Sequence, residues 1–355
     1  MTTRFMDKRY RGLRPYSPGE QPRDGGLIKL NTNENPFGPS PLALEAIRLE
    51  SERINLYSDP ECGVFLKALA KHFGVGEKQV FASNGSDEVL AFIFQAFAGS
   101  GAAFADLTYG FYPVYAGLYG VDVRIIPLRE GFALEADDYY DLGRTIVIAN
   151  PNAPTGLAVS REDIKRILER NRDSLVVVDE AYVDFGAESV VGLLSDFDNL
   201  LVVGTFSKSR SMAGARLGYA VSSEELIASL NLVKFSFNPY NVNRMTLAAG
   251  AAAIQDTAWF ERARDAIVET RTRVLAELRG MGFICTDSKA NFIFIRHPAK
   301  PGQELFAELR KAGILVRRFD NELIKDWLRV SIGSGDDMDA FTAALREILR
   351  GSIEI

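Results

Sequence analysis

The chain has 355 residues, 47% of them apolar and 25% charged, the profile of a globular protein of about two domains. Its 41 Lys+Arg against 47 Asp+Glu leave a net charge of −6, which argues against nucleic acid and anionic membrane as partners. Two cysteines, Cys62 and Cys285, and two histidines, His72 and His297, cannot build a disulfide framework or a four-cysteine or three-histidine metal site. No metal is expected. Residues 1–14 carry basic side chains with no apolar stretch behind them, so they do not read as a signal peptide. No apolar run approaches the ~18 residues of a membrane span. A soluble, cytoplasmic enzyme or binding protein is the expectation.

Residues 1–40, rich in Pro, Gly and Asn, read as an extended arm. Ser40 and Pro41 are a helix N-cap and first helical position. From there to about residue 250, helical patterns alternate with short apolar runs, which predicts an α/β domain with a mostly parallel sheet. Candidate strands are 80–83, 121–126, 146–149, 175–178 and 200–203, with little polar alternation, as for strands covered on both faces. Val89, Phe92, Ile93, Ala96 and Phe97 recur at helical spacing, so 86–98 is an amphipathic helix. Beyond residue 240 a helical stretch runs to Gly282 with a break near Asp256-Thr257. Strands at 291–296, 314–318 and 327–332 and helices at 302–312 and up to 350 follow. The division expected is an arm over 1–40, a large domain over 41–255 and a small α+β domain over 256–355.

Ligands of open α/β sheets sit at the carboxyl ends of the strands. Four ends stand out. After 80–83 comes Asn84-Gly85-Ser86-Asp87-Glu88, where small residues open a helix N-terminus to an anion; capping by Ser86 or Asp87 is the plainer alternative. After 146–149 comes Asn150-Pro151-Asn152-Ala153-Pro154-Thr155-Gly156, which also reads as a rigid loop. After 175–178 comes Asp179, a carboxylate that needs a cation or donors to sit at the end of an apolar strand. After 200–203 comes Gly204-Thr205-Phe206-Ser207-Lys208, where the lysine is either a solvated loop residue or an amine poised for covalent chemistry.

Taken in order, these strand ends resemble the fold-type-I pyridoxal-phosphate enzymes, and more closely the histidinol-phosphate aminotransferases of aminotransferase class II. Further marks of that resemblance are Pro15-Tyr16-Ser17-Pro18-Gly19, the run from Lys29 to Gly38, residues 57–61, Thr108-Tyr109-Gly110, Ala213-Gly214-Ala215-Arg216, Ala290-Asn291-Phe292 and Leu328-Arg329-Val330-Ser331. The resemblance covers about residues 13 to 350. It implies an α/β fold with a mostly parallel seven-stranded sheet in the large domain and a smaller α+β C-terminal domain. The function it implies is transamination of L-histidinol phosphate with 2-oxoglutarate.

The same resemblance implies roles. Lys208 would hold pyridoxal phosphate covalently and move the proton. Asp179 would keep the ring nitrogen protonated, and Tyr182 would donate to the ring hydroxyl. Tyr109 would stack on the ring. Gly85, Ser86, Asp87, Thr205, Ser207 and Arg216 would hold the cofactor, with Tyr57 reaching over from the second subunit of a homodimer. Arg317 and Arg329 would bind the substrate anion, with Tyr16 closing over it. The family's second asparagine, a contact of the ring hydroxyl, is replaced here by Ala153, so that hydrogen bond is either missing or supplied by another residue, with Asn152 the candidate. Competing readings are an aromatic amino-acid aminotransferase, a threonine-phosphate decarboxylase and a non-catalytic cofactor-binding regulator. The last would need a DNA-binding domain for which the chain has no room. A nicotinamide dehydrogenase is disfavoured, since no strand is followed by G-x-G-x-x-G.

Overall fold

The computed structural model describes residues 3–22 and 26–351. The described part of the arm holds a short 3-10 turn (Lys8–Tyr10) and β1 (Ile28–Lys29), and the chain then enters α1 (Pro41–Ser51), where the Ser40 hydroxyl accepts from Ala43 N at 3.1 Å and Pro41 fills the first turn. After α2 (Gly63–Phe73) come β2 (Val80–Asn84), α3 (Ser86–Phe97), β3 (Ala102–Ala105), α4 (Tyr112–Tyr119), β4 (Val123–Ile126) and β5 (Thr145–Ala149). Next are α5 (Arg161–Arg170), β6 (Val176–Asp179), β7 (Leu200–Thr205), β8 (Leu217–Ser222) and α6 (Glu224–Phe237). The long helical stretch is two helices, α7 (Arg244–Gln255) and α8 (Thr257–Gly280), and the side chain of Asp256 caps the second. The chain ends through β9 (Ile284–Cys285), β10 (Phe292–Arg296), α9 (Gly302–Lys311), β11 (Ile314–Leu315), β12 (Arg317–Arg318), β13 (Leu328–Ser331) and α10 (Gly335–Arg350).

The seven-stranded sheet has the order β2-β8-β7-β6-β5-β3-β4 and is parallel apart from β8. Alternate side chains serve opposite faces, as strand geometry requires. Ile146, Ile148, Val176, Val178, Leu200 and Val202 join one core cluster, while Val147, Val177, Leu201 and Val203 join the other. A four-stranded sheet, β12-β13-β10-β9, forms a third cluster with α8, α9 and α10. Leu30 of the arm is buried in that cluster, and Ile293, Phe341 and Leu345 are fully covered there. Each such side chain contributes about 1.5–3 kcal/mol by leaving water.

Two strands of the sheet, β3 and β8, lie where none was expected. The expected strand 314–318 divides: β11 pairs parallel with β1 of the arm, and β12 pairs antiparallel with β13. One apolar run therefore ties the arm to the C-terminal sheet. Among the described residues no helix is long and apolar enough to cross a membrane.

Candidate active site

β5, β6 and β7 run parallel and side by side, so their carboxyl ends open on one edge. β6 delivers Asp179, only 5% exposed, with Oδ2 accepting from the Tyr112 hydroxyl at 2.9 Å and Oδ1 from Ala181 N at 3.1 Å. Burial pushes its pKa up to about 6, and these two donors oppose the shift. β7 ends at Thr205, followed by Ser207 and Lys208. The Lys208 amine lies 3.4 Å from the Thr32 carbonyl oxygen and 5.6 Å from the centre of the Tyr182 ring.

α3 has Gly85 as its N-cap and no side-chain cap, which leaves its first-turn N–H groups for an anion. Two glycines create this turn. Gly85 has φ +79°, and a Cβ on it would lie 2.5 Å from Nη2 of Arg216. A Cβ on Gly218 would lie 2.3 Å from the backbone of Gly85 and Ser86. Their absence brings Arg216 against the helix start, where it donates to Asp87 at 3.0 Å and Ser207 at 3.4 Å. Tyr109 donates to the other oxygen of Asp87 at 2.8 Å, which fixes its ring on the wall.

The opposite wall comes from the C-terminal sheet. Arg317 and Arg329 are register partners on β12 and β13. Arg329 donates from Nη2 to Asn31 O at 3.1 Å; its buried Nε has no hydrogen-bond partner among the described residues. Burial lowers the pKa of this guanidinium. Arg317 donates to Ser17 O at 2.9 Å and Pro18 O at 3.2 Å, clamping the arm so that Tyr16 stacks on Phe111 with centroids 4.3 Å apart.

Twelve expected residues line one cavity of about 870 Å³, counting its open mouth: Tyr16, Ser86, Asp87, Tyr109, Asp179, Tyr182, Thr205, Ser207, Lys208, Arg216, Arg317 and Arg329. An aminotransferase class I and II family model matches residues 26–346. The histidinol-phosphate aminotransferase of Clostridium acetobutylicum is 47% identical over 350 residues, 98% of this chain and 99% of that protein. The chain belongs to the histidinol-phosphate aminotransferases. Among solved structures, the histidinol-phosphate aminotransferase of Sinorhizobium meliloti, in complex with pyridoxal-5'-phosphate, matches with a TM-score of 0.88 at 24% identity over 99% of each chain. The L-threonine-O-3-phosphate decarboxylase of Porphyromonas gingivalis matches at 0.79 and 24%, over 91% of this chain and 100% of that one. Such likenesses concern the fold, which hosts both a transferase and a lyase; side chains must decide the reaction.

Against the histidinol-phosphate aminotransferase pattern, three expected residues do not line the cavity. Gly85 shapes the α3 turn from behind. Tyr57 is 80% exposed and stacks on Tyr240, centroids 4.5 Å apart. Asn152 does not substitute for the missing asparagine: its amide donates to Leu107 O at 3.0 Å and Thr155 Oγ1 at 3.1 Å, and it faces a neighbouring cavity. Ala153 lies at the wall instead, packed with Tyr182, Ala290 and Phe292. Conversely, Tyr112 bonds Asp179, and Asn31, Thr32 and Asn33 of the arm line the cavity, although no role was expected for them.

The donor set fits pyridoxal phosphate. One cavity holds an amine, a buried carboxylate, a ring-sized aromatic wall and an uncapped helix start with an arginine beside it. The guanidinium with an unpartnered buried Nε lies on the wall away from that helix start, where a second anion would satisfy it.

Proposed function

We propose that this chain transfers the amino group of L-histidinol phosphate to 2-oxoglutarate, giving imidazole acetol phosphate and L-glutamate, with pyridoxal 5'-phosphate held at Lys208. The carrying observation is that Arg329, Arg317 and Tyr16 line the same cavity as Lys208 and Asp179. When bound, the cofactor supplies a conjugated ring that takes up the electrons left at the substrate's α-carbon. Lys208 would hold it covalently, and its amine, once freed, would serve as the acid–base group that moves the substrate's proton. Asp179, as a carboxylate, keeps a proton on the ring nitrogen. The α3 N-terminus, Ser86, Thr205, Ser207 and Arg216 hold the cofactor phosphate, and Tyr109 covers the ring face.

The substrate side uses a planar guanidinium that accepts phosphate and carboxylate oxygens alike, so one pocket serves histidinol phosphate and glutamate. Tyr16 covers the anion and excludes water. The chain acts as a homodimer in the cytoplasm, with Tyr57 completing the partner's site. In support, Tyr57 does not line its own cavity, and it, Ile54 and Leu56 beside it in the chain, and Leu232 and Phe237 of α6 are 52–80% exposed.

A donor panel tests the reading. With cofactor and 2-oxoglutarate, histidinol phosphate should give the highest kcat/KM, ahead of phenylalanine, and threonine phosphate should release no carbon dioxide. Phenylalanine equalling histidinol phosphate would favour the aromatic aminotransferase, and carbon dioxide release the decarboxylase.

A further inference from the structure

Asn33 is 1% exposed, adopts φ +56° and lines the cavity. One orientation of its amide matches its neighbours. Ser331 Oγ accepts from Asn33 N at 2.7 Å, so its own proton is free to go to Asn33 Oδ1 at 3.2 Å. That leaves Nδ2 to donate to the Tyr182 hydroxyl at 3.0 Å. Asn291 donates to the Asn33 carbonyl at 3.0 Å and holds the backbone in place.

An amide N–H can only donate. A phenol oxygen that accepts from it keeps its own proton for another acceptor. Lys208 and Asp179 share the cavity into which that proton can point, and Ala153 beside Tyr182 offers no polar group. We infer that Asn33 is a positioning residue that fixes Tyr182 as a donor toward the ring oxygen of the cofactor. Through Tyr182 it does what an asparagine at position 153 would do directly. The amide also polarises the phenol, since hydrogen bonds in a chain strengthen one another. This inference rests on the reading that pyridoxal phosphate is bound at Lys208.

The test follows the visible absorbance of the cofactor-loaded protein against pH. A donor on the ring oxygen favours its anionic form and so lowers the midpoint at which the lysine-bound cofactor loses its shared proton. Among the described residues, the charged groups lining this cavity are Asp87, Asp179, Lys208, Arg216, Arg317 and Arg329, which the substitutions leave in place. Asn33→Gly keeps the left-handed backbone, and should raise the midpoint by roughly half a pH unit, the scale of one neutral hydrogen bond. Asn33→Asp, nearly isosteric, presents a carboxylate that draws the phenol's proton away from the cavity, and should raise the midpoint further. In a Tyr182→Phe background the glycine substitution should not move it, and the aspartate should move it less than in the native background, because only the direct pull of the new charge remains. Circular dichroism checks folding; if the glycine variant does not fold, the aspartate variant carries the test. Unchanged midpoints with cofactor bound, or equal shifts with and without the Tyr182 hydroxyl, would overturn the inference. Failure of the unaltered protein to take up the chromophore would instead overturn the cofactor reading.

Discussion

Lys208 and Asp179 sit at adjacent strand ends, and the roles proposed for them are separable. Lys208→Ala removes the covalent link but leaves the α3 start and Arg216 intact, so cofactor affinity should fall far less than turnover, which drops by roughly 10²–10⁴-fold, the worth of a positioned acid–base group. Kinetics beside a cofactor-binding titration measure the two quantities. Asp179 makes binding depend on pH. Its buried carboxyl has a pKa of about 6, above the ~3.9 of an unfolded aspartate. Without cofactor, the fold therefore binds the proton more tightly than the unfolded chain, and this stabilisation is lost as pH rises through about 6. With cofactor the ionised form is the useful one. The rise in Tm on adding cofactor should thus be larger at about pH 7.5 than at about pH 5, and Asp179→Asn should flatten the difference. An equal increment for both proteins at both pH values would contradict the role given to this carboxylate.

At the scale of elements, the α3 start depends on two strands coming close enough to leave no room for a side chain. Gly218→Ala would place a methyl 2.3 Å from the Gly85 and Ser86 backbone. The expected cost is about 1–3 kcal/mol of stability, with a larger loss of affinity for cofactor, read by denaturation and cofactor titration. On the other wall, Arg329→Ala should lower kcat/KM about tenfold to a hundredfold in both half-reactions. Tyr16→Phe should weaken histidinol phosphate more than glutamate, since phosphate has more oxygens to satisfy. Here the sequence was informative wherever function sits on a strand end, because apolar runs followed by Asp179 or Lys208 announce themselves. It was silent on β3 and β8. The run Ala102–Ala105 has weak strand propensity, and Leu217–Ser222 carries Gly218, a poor strand former, as its second residue. Tyr112 and Asn33 were not legible either, because their partners, Asp179 and Tyr182, lie 67 and 149 residues away. Such contacts leave no local pattern.

At the scale of the whole molecule, the arm is the joint between the sheets. β1 pairs with β11, Arg317 clamps Ser17 and Pro18, and Asn33 reaches Ser331 and Tyr182, so the arm ties the wall of Arg317 and Arg329 to that of Tyr182. The proposed dimer gives the exposed Tyr57 its function. Mixing Lys208→Ala with Tyr57→Ala protein should restore about a quarter of native activity, since half the dimers are hybrids with one complete site in each. No recovery despite demonstrated subunit exchange would contradict a shared site. The most direct measurement of the central claim is a stoichiometric half-reaction. Cofactor-loaded protein should lose its visible band on adding one equivalent of L-histidinol phosphate and regain it with 2-oxoglutarate, releasing one glutamate per site. A band that histidinol phosphate leaves untouched, while another amine abolishes it, would contradict the account.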